Sequence, residues 1–441
     1  MTALFLILFF GGLIVLAFPI ATTILVSTAS IPLFSGADTP LAWGQLFTES
    51  INGAVANNVG LTIVLFMIAG EFMAKGKLTE KIFDTFAYFF GKNKGFMPII
   101  SIATCMFYGA ISGSGPATTA AVGAMCYPML VRMGYDKFFS ASILVSAGCL
   151  GMVIPPSVPL TGAAGLAGGL DLVPLYQIAA VGGVCAGLLL ILYAYLHCRV
   201  KGDGNQALIN ESVDNLRKQS FGTLLKDSIW ALMTPVLILG TIFSGIADTA
   251  QAAVLSLVYS ILVAVFIYHT IKPEEILPMF RRCILNAAPL CFLIALSNVF
   301  SAGMRALNIP AKLANALIDS GVSSSVLILL ILGCMLLLGS FMDCGAAMAI
   351  LVPLFAPVII NFGMDPYTSI VAIIMCQAVG LCSPLCGLCL FVLCPIVGCS
   401  IGQLGKHVIK LSALIVLVSV IIVLFPGLFA WATSGAVIPT L

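Results

Sequence analysis

An all-α polytopic membrane protein, built as an inverted structural repeat with two opposed re-entrant helical hairpins and two broken helices, is the fold class this sequence predicts. Three observations lead there. Charged residues make up 8% of the chain against 61% apolar residues, and mean hydropathy is +1.16, a balance foreign to water-soluble globules. Four Ser/Gly/Pro-rich breaks interrupt the apolar sequence: "SGSGP" (112–116), "VIPPSVP" (153–159), "GSFMDCG" (339–345) and "GLCSPLCG" (380–387). The pattern around the first pair of breaks recurs, without gaps, 229 residues later.

The apolar segments fall at 1–34, 58–74, 95–111, 116–132, 138–170 (broken), 172–198, 229–247, 250–270, 284–303, 322–341, 346–362, 367–402 (broken) and 411–432. The first is one long helix or two short ones around Pro19. It has no basic n-region and no small-residue cleavage site, so it reads as a membrane element rather than a signal peptide. Segments 95–111 and 116–132 are shorter than the ~20 residues of a full span. A hairpin that enters and leaves on one side accounts for their length. It also keeps the basic connections "GKNKG" (91–95) and "RMGYDK" (132–137) on the same face. Segments 322–341 and 346–362, flanking "GSFMDCGA", repeat the case.

With both hairpins in place, every Lys and Arg except Arg305 and Lys312 falls on one side. That crowded side is expected to be the cytoplasm. The first hairpin then opens to the cytoplasm and the second to the outside, where the C-terminus also lies. The net charge of +2 gives no basis for a nucleic-acid partner; the bilayer is the partner that composition demands. Of the fifteen cysteines, most sit in apolar segments and behave as small hydrophobes. Cys382, Cys386 and Cys389 lack the nearby His and acids of a metal site.

Within the 229-residue offset, Ala117 meets Ala346, Ala120 meets Ala349 and Pro128 meets Pro357. Gly134 and Asp136 meet Gly363 and Asp365, and Gly151 and Pro155 meet Gly380 and Pro384. Each half reads as scaffold helix, arm, hairpin, broken helix. The arms, 75–94 and 304–320, carry charges at helical spacing beside apolar residues, a pattern that solvated connections also produce. The division expected is 1–94 (scaffold and first arm), 95–170 (first hairpin and broken helix), 171–321 (scaffold and second arm), 322–402 (second hairpin and broken helix) and 403–441 (C-terminal helix). The 95–170 and 322–402 units together form a mobile transport domain.

Non-helical backbone at membrane depth survives only where protein or an aqueous cavity surrounds it. Prolines remove N–H donors and glycines expose carbonyls, so the breaks offer oxygens to a small cation. Helices restarting after the tips present positive dipole ends to an anion. Ser112, Ser114, Ser157 and Ser383 add hydroxyls, and Asp343 is the one acid near a hairpin tip. Hard oxygen donors of low formal charge suit Na⁺ better than a transition metal. Opposed discontinuous helices are a recurring design of ion-coupled transporters. For Ser and Thr, helix packing is the plainer role, and Asp343 could instead cap a helix. Glu71 is expected to pair with Lys75 at a helix end, and His197, His269 and His407 to lie at interfaces. A channel would need a continuous polar pore and an enzyme an acid–base or nucleophile constellation; neither is present in the sequence.

"GAISGSGPATTAAVGAMCYPMLVRMGYD" with "GCLGMVIPPSVPL", and "GSFMDCGAAMAILVPLFAPVIINFGMDP" with "AVGLCSPLCGLCLF", resemble the paired signatures of the large membrane (permease) subunit of tripartite ATP-independent periplasmic (TRAP) transporters. The resemblance extends over essentially the whole chain. It implies an elevator-type secondary transporter of the ion transporter superfamily, coupled to Na⁺ and placed in the cell inner membrane. It also implies a small four-helix membrane subunit and a periplasmic substrate-binding protein that delivers an organic acid such as a C4-dicarboxylate. Carried over residue by residue, the first Na⁺ site uses Ser112 and Ser114 with backbone at Gly151, Ile154 and Pro156. The second uses Gly339, Gly380, Ser383 and the surroundings of Cys386, with Asp343 beside it. The substrate lies between the tips, at Ser112, Gly113, Ser114, Gly115, Ser157, Asp343 and Gly345. One departure stands out: the second break reads Ser383-Pro384-Leu385-Cys386, where the family commonly shows Thr-Pro-Pro. A stand-alone Na⁺/dicarboxylate or citrate-type symporter of the same superfamily is the alternative reading.

Overall fold

The computed structural model describes residues 20–34, 44, 48, 59–76, 78–91, 95–202, 204–217, 221–319, 321–340, 344–384 and 387–433. All regular structure among them is helical. Outside this range lie the 1–19 part of the first segment, residues 77, 92–94 and 320 of the expected arms, and Asp343, Leu385 and Cys386 at the second tip and second break.

Chain order begins with α1 (Ile20–Phe34), α2 (Val59–Lys75) and α3 (Leu78–Phe90). The first hairpin is α4 (Phe96–Ser112) and α5 (Gly115–Arg132). Helix α6 (Lys137–Cys149) runs into a 3-10 turn at Leu150–Met152, breaks, and restarts as α7 (Val158–Leu166). Then come α8 (Leu172–Lys201), α9 (Gln206–Arg217), α10 (Phe221–Phe243), α11 (Thr249–Leu262), α12 (Pro273–Ala306) and α13 (Ile309–Asp319). The second hairpin is α14 (Ser324–Gly339) and α15 (Cys344–Asn361), and the second broken helix is α16 (Pro366–Gly380) and α17 (Leu388–Val397). Helix α18 (Ile401–Leu424) and a short α19 (Ala430–Thr433) follow.

Both hairpins end in the same turn. Gly134 and Gly363 adopt φ of +83° and +68°, a left-handed conformation open to glycine at little cost. Around them Tyr135 N–H reaches the Leu130 carbonyl and Met364 N–H reaches that of Ile359, each at 3.1 Å. Asp136 then caps α6, accepting from Phe139 N–H at 2.8 Å. Asp365 caps α16, accepting from Thr368 N–H at 3.0 Å. Such caps satisfy N–H groups that a helix start leaves unpaired.

The first limbs of the two broken helices, α6 and α16, occupy the centre. Every residue of α16 is buried, and so are Phe139 through Cys149 of α6. Around them, α8, α11 with its π-helical continuation to Ile267, and α18 are long and apolar enough to cross a membrane. Their outer faces carry exposed Leu188, Leu192, Val258, Leu262 and Leu417, the distribution expected of helices solvated by lipid rather than water.

Several boundaries differ from the sequence expectation. Helix α12 is continuous over Pro273–Ala306 despite Pro278 and Pro289, so it begins well before 284. Helix α18 starts ten residues before 411, where Gln403 Oε1 reaches back to accept from Ser400 N–H at 3.2 Å. The linker after α8 holds α9, whose Arg217 guanidinium donates to the Tyr88 carbonyl at 2.8 and 3.1 Å. The expected Glu71–Lys75 pair is replaced by two cross-helix pairs. Glu71 meets Arg282 at 3.7 Å and Lys75 meets Glu275 at 3.5 Å, because the first turns of α12 lie against the end of α2.

Candidate functional site

Each hairpin is pinned to its own broken helix by a glycine-to-glycine approach. A methyl group on Gly109 of α4 would stand 2.6 Å from Gly151 Cα, and one on Gly380 would stand 2.5 Å from the Gly339 carbonyl carbon. The first tip also reaches the break directly: a methyl on Gly113 would lie 2.9 Å from the Pro156 carbonyl oxygen. These approaches gather Ser112, Ser114, Gly151, Ile154 and Pro156 into one region, and Gly339, Gly380 and Ser383 into another.

Not all of the hydroxyls in these regions are uncommitted. Ser112 Oγ is 2.8 Å from Thr118 Oγ1, and Thr118 Oγ1 also donates to the Ser114 carbonyl at 2.8 Å. Thr118, which the sequence reading passed over, therefore ties the tip to the first turn of α5. Its signal was available, since a Thr two residues past Pro116 falls on the first turn of a helix. Ser157 is fully buried. Its Oγ donates to the Met152 carbonyl and accepts from Leu160 N–H, so it bridges the break and caps α7. In the second break the Ser383 carbonyl accepts from Gly387 N–H at 3.0 Å.

Between the tips lies a cavity of about 240 Å³. The first tip contributes Gly113 to Pro116, the first break Met152, Val158 and Pro159, the second tip Cys344, Gly345 and Met348, and the second break Leu381. Met67 of α2 and Asn286 of α12 close it from the scaffold side. Of the residues expected at the substrate, Gly113, Ser114, Gly115 and Gly345 line this cavity, whereas Ser112 and Ser157 stand behind it. No Lys, Arg or His is among the described lining residues. Three helices begin at its wall instead: α5 at Gly115, α7 at Val158 and α15 at Cys344.

A family model described as the tripartite ATP-independent periplasmic transporter, DctM component, matches residues 3–428. The chain belongs to this family. TRAP large permeases of known assignment are its relatives. It is 31% identical to the isethionate TRAP transporter permease protein DctMQ of Oleidesulfovibrio alaskensis, over 83% of this chain and 57% of that protein. The match thus spans little more than half of that longer relative. Identity to the C4-dicarboxylate TRAP transporter large permease of Pseudomonas aeruginosa is 29%, over 83% of this chain and 84% of that one. With the ectoine TRAP large permease of Halomonas elongata it is 25%, over 94% and 95%. These relatives are transport permeases, not enzymes. Among solved structures, the fold of the TRAP permease is shared with the Alcanivorax borkumensis YdaH transporter, at TM-score 0.69 and 17% identity, covering 93% of this chain and 97% of that one. Neisseria gonorrhoeae MtrF aligns at TM-score 0.65 and 12% identity, over 96% and 94%.

Proposed function

We propose that this permease catalyses Na⁺-coupled uptake of a small organic acid across the inner membrane by elevator-type alternating access. The acid is delivered by a periplasmic binding protein, and a small four-helix subunit completes the membrane unit. The observation that carries the reading is the cavity at which both tips and both breaks meet, with no charged side chain among its described lining residues and faced by three helix N-termini. Partial positive charge at those termini favours a carboxylate. With no basic side chain at the described wall, Na⁺ at the neighbouring carbonyls supplies the remaining countercharge. Ser114, Gly151, Ile154 and Pro156 form the first ion region. Gly339, Gly380 and Ser383 form the second, which Asp343 and Cys386 complete. The matching turns at Gly134–Asp136 and Gly363–Asp365 support an inverted repeat. In that repeat, 95–170 and 322–402 move as one body against the remaining helices, with the basic loops cytoplasmic and the C-terminus outside.

Reconstitution into proteoliposomes with both partner proteins tests this. Uptake of a carboxylate that stabilises the cognate binding protein in a thermal-shift panel should require an inward Na⁺ gradient. Ser114→Ala should reduce that uptake more than it reduces protein level. Uptake by the permease alone, without binding protein or small subunit, would favour the stand-alone symporter.

A further inference from the structure

Gln377 occupies the last turn of α16 and is 1% exposed. Its Oε1 accepts a hydrogen bond from the Cys344 thiol at 3.0 Å, while its Nε2 is buried without a partner. Its backbone is committed as well. The Gln377 carbonyl accepts from Leu381 N–H at 3.2 Å, and a methyl on Gly339 would stand 3.3 Å from Gln377 Cα. Gln377 thus touches the end of α14, the start of α15 and the second break. Two of those neighbours, Cys344 and Leu381, are wall residues of the cavity.

We propose that Gln377 is a positioning residue whose amide latches the Cys344 thiol and thereby sets where the N-terminal end of α15 stands at the cavity wall. The inference goes beyond the transport reading but rests on it in taking the cavity as the substrate site. A side chain placed here for packing alone would do better as methionine, of similar length and without an amide donor to leave unpaired. A thiol is a weak donor, so the contact holds the helix end in place yet yields readily.

The test is peptide-resolved mass spectrometry of N-ethylmaleimide labelling on the full chain in its native membranes, with the interior Cys382 as reference. Gln377→Met should label Cys344 about two- to threefold faster, as loss of one hydrogen bond from a weak donor gives, with no change at Cys382. An unchanged Cys344 rate in Gln377→Met overturns the latch. So does parallel acceleration of Cys344 and Cys382, which marks loosened packing. Labelling reads the latch without transport, so a wrong cargo assignment fails in the uptake assay and leaves these rates untouched.

Discussion

Gly109 and Gly151 meet backbone to backbone, with room for a Cβ at neither: the methyl on Gly109 would strike Gly151 Cα at 2.6 Å, and the one on Gly151 would strike Thr118 Oγ1. The contact joins the first hairpin to the first break. Overpacking such a contact costs about 1–3 kcal/mol. Gly109→Ala and Gly380→Ala should therefore lower the melting temperature in detergent, whereas Gly240→Ala, with nothing within 4 Å, should not. Equal melting temperatures for all three would remove the glycine approaches as structural determinants.

Thr118 makes a prediction specific to the first tip. Thr118→Val keeps the shape of the side chain but removes the shortest of the contacts of Ser112 Oγ, which keeps the Ser114 carbonyl at 3.3 Å, and a donor to that carbonyl. Loss of one buried hydrogen bond costs about 0.5–1.5 kcal/mol. The variant should be less stable and should need more Na⁺ for half-maximal uptake. Thr118→Ser should behave as wild type in both measurements.

Asp84, on the amphipathic arm α3, has its carboxyl pushed up to about 6, chiefly by burial, with Lys81 opposing and Glu80 adding to the rise. The folded state thus holds its proton more tightly than the unfolded chain does. The stability this contributes is fully present below about pH 4 and is lost as pH rises through 6. Melting temperature should decline across that window on account of this group. Asp84→Asn should flatten the decline and stabilise the protein at pH 7 by on the order of 2 kcal/mol. An identical pH profile for the variant would show that the arm does not bury this carboxyl.

Asn286 is the polar contribution of α12 to the cavity. If its amide helps to hold the cargo, Asn286→Leu should lower uptake efficiency about tenfold, the equivalent of one hydrogen bond of roughly 1.4 kcal/mol. Stability should be unchanged, since the side chain is exposed. Unimpaired uptake would place Asn286 outside the binding surface.

Much of the site was legible because prolines and glycines punctuate an apolar sequence at places where a continuous helix would otherwise run. "SGSGP" and "VIPPSVP" mark the first tip and break without any knowledge of packing. Ser157 was legible in a second way that was missed. A Ser followed two residues later by Pro159 is a helix-start signal, and the structure uses that hydroxyl as a cap. Met67 and Asn286 carried no comparable signal. Each is one residue in a long helix, and only the placement of α2 against α12 turns it toward the cavity. The Glu71–Arg282 and Lys75–Glu275 pairs lie along that same contact. Local spacing pointed instead to Glu71 and Lys75 on one helix.

The sequence alone determined the membrane class, the four breaks, the paired Gly-x-Asp turns and the family, because these depend on composition and on short-range backbone chemistry. Tertiary structure alone decided which oxygens are already spent, as with Ser112 on Thr118 and Ser157 on the Met152 carbonyl. It also decided which helices close the cavity and that Gln377 reaches Cys344. The first two are distances across non-helical turns, which short-range pattern does not specify, and the rest join separate segments brought together where backbones approach closely at Gly109–Gly151 and Gly339–Gly380.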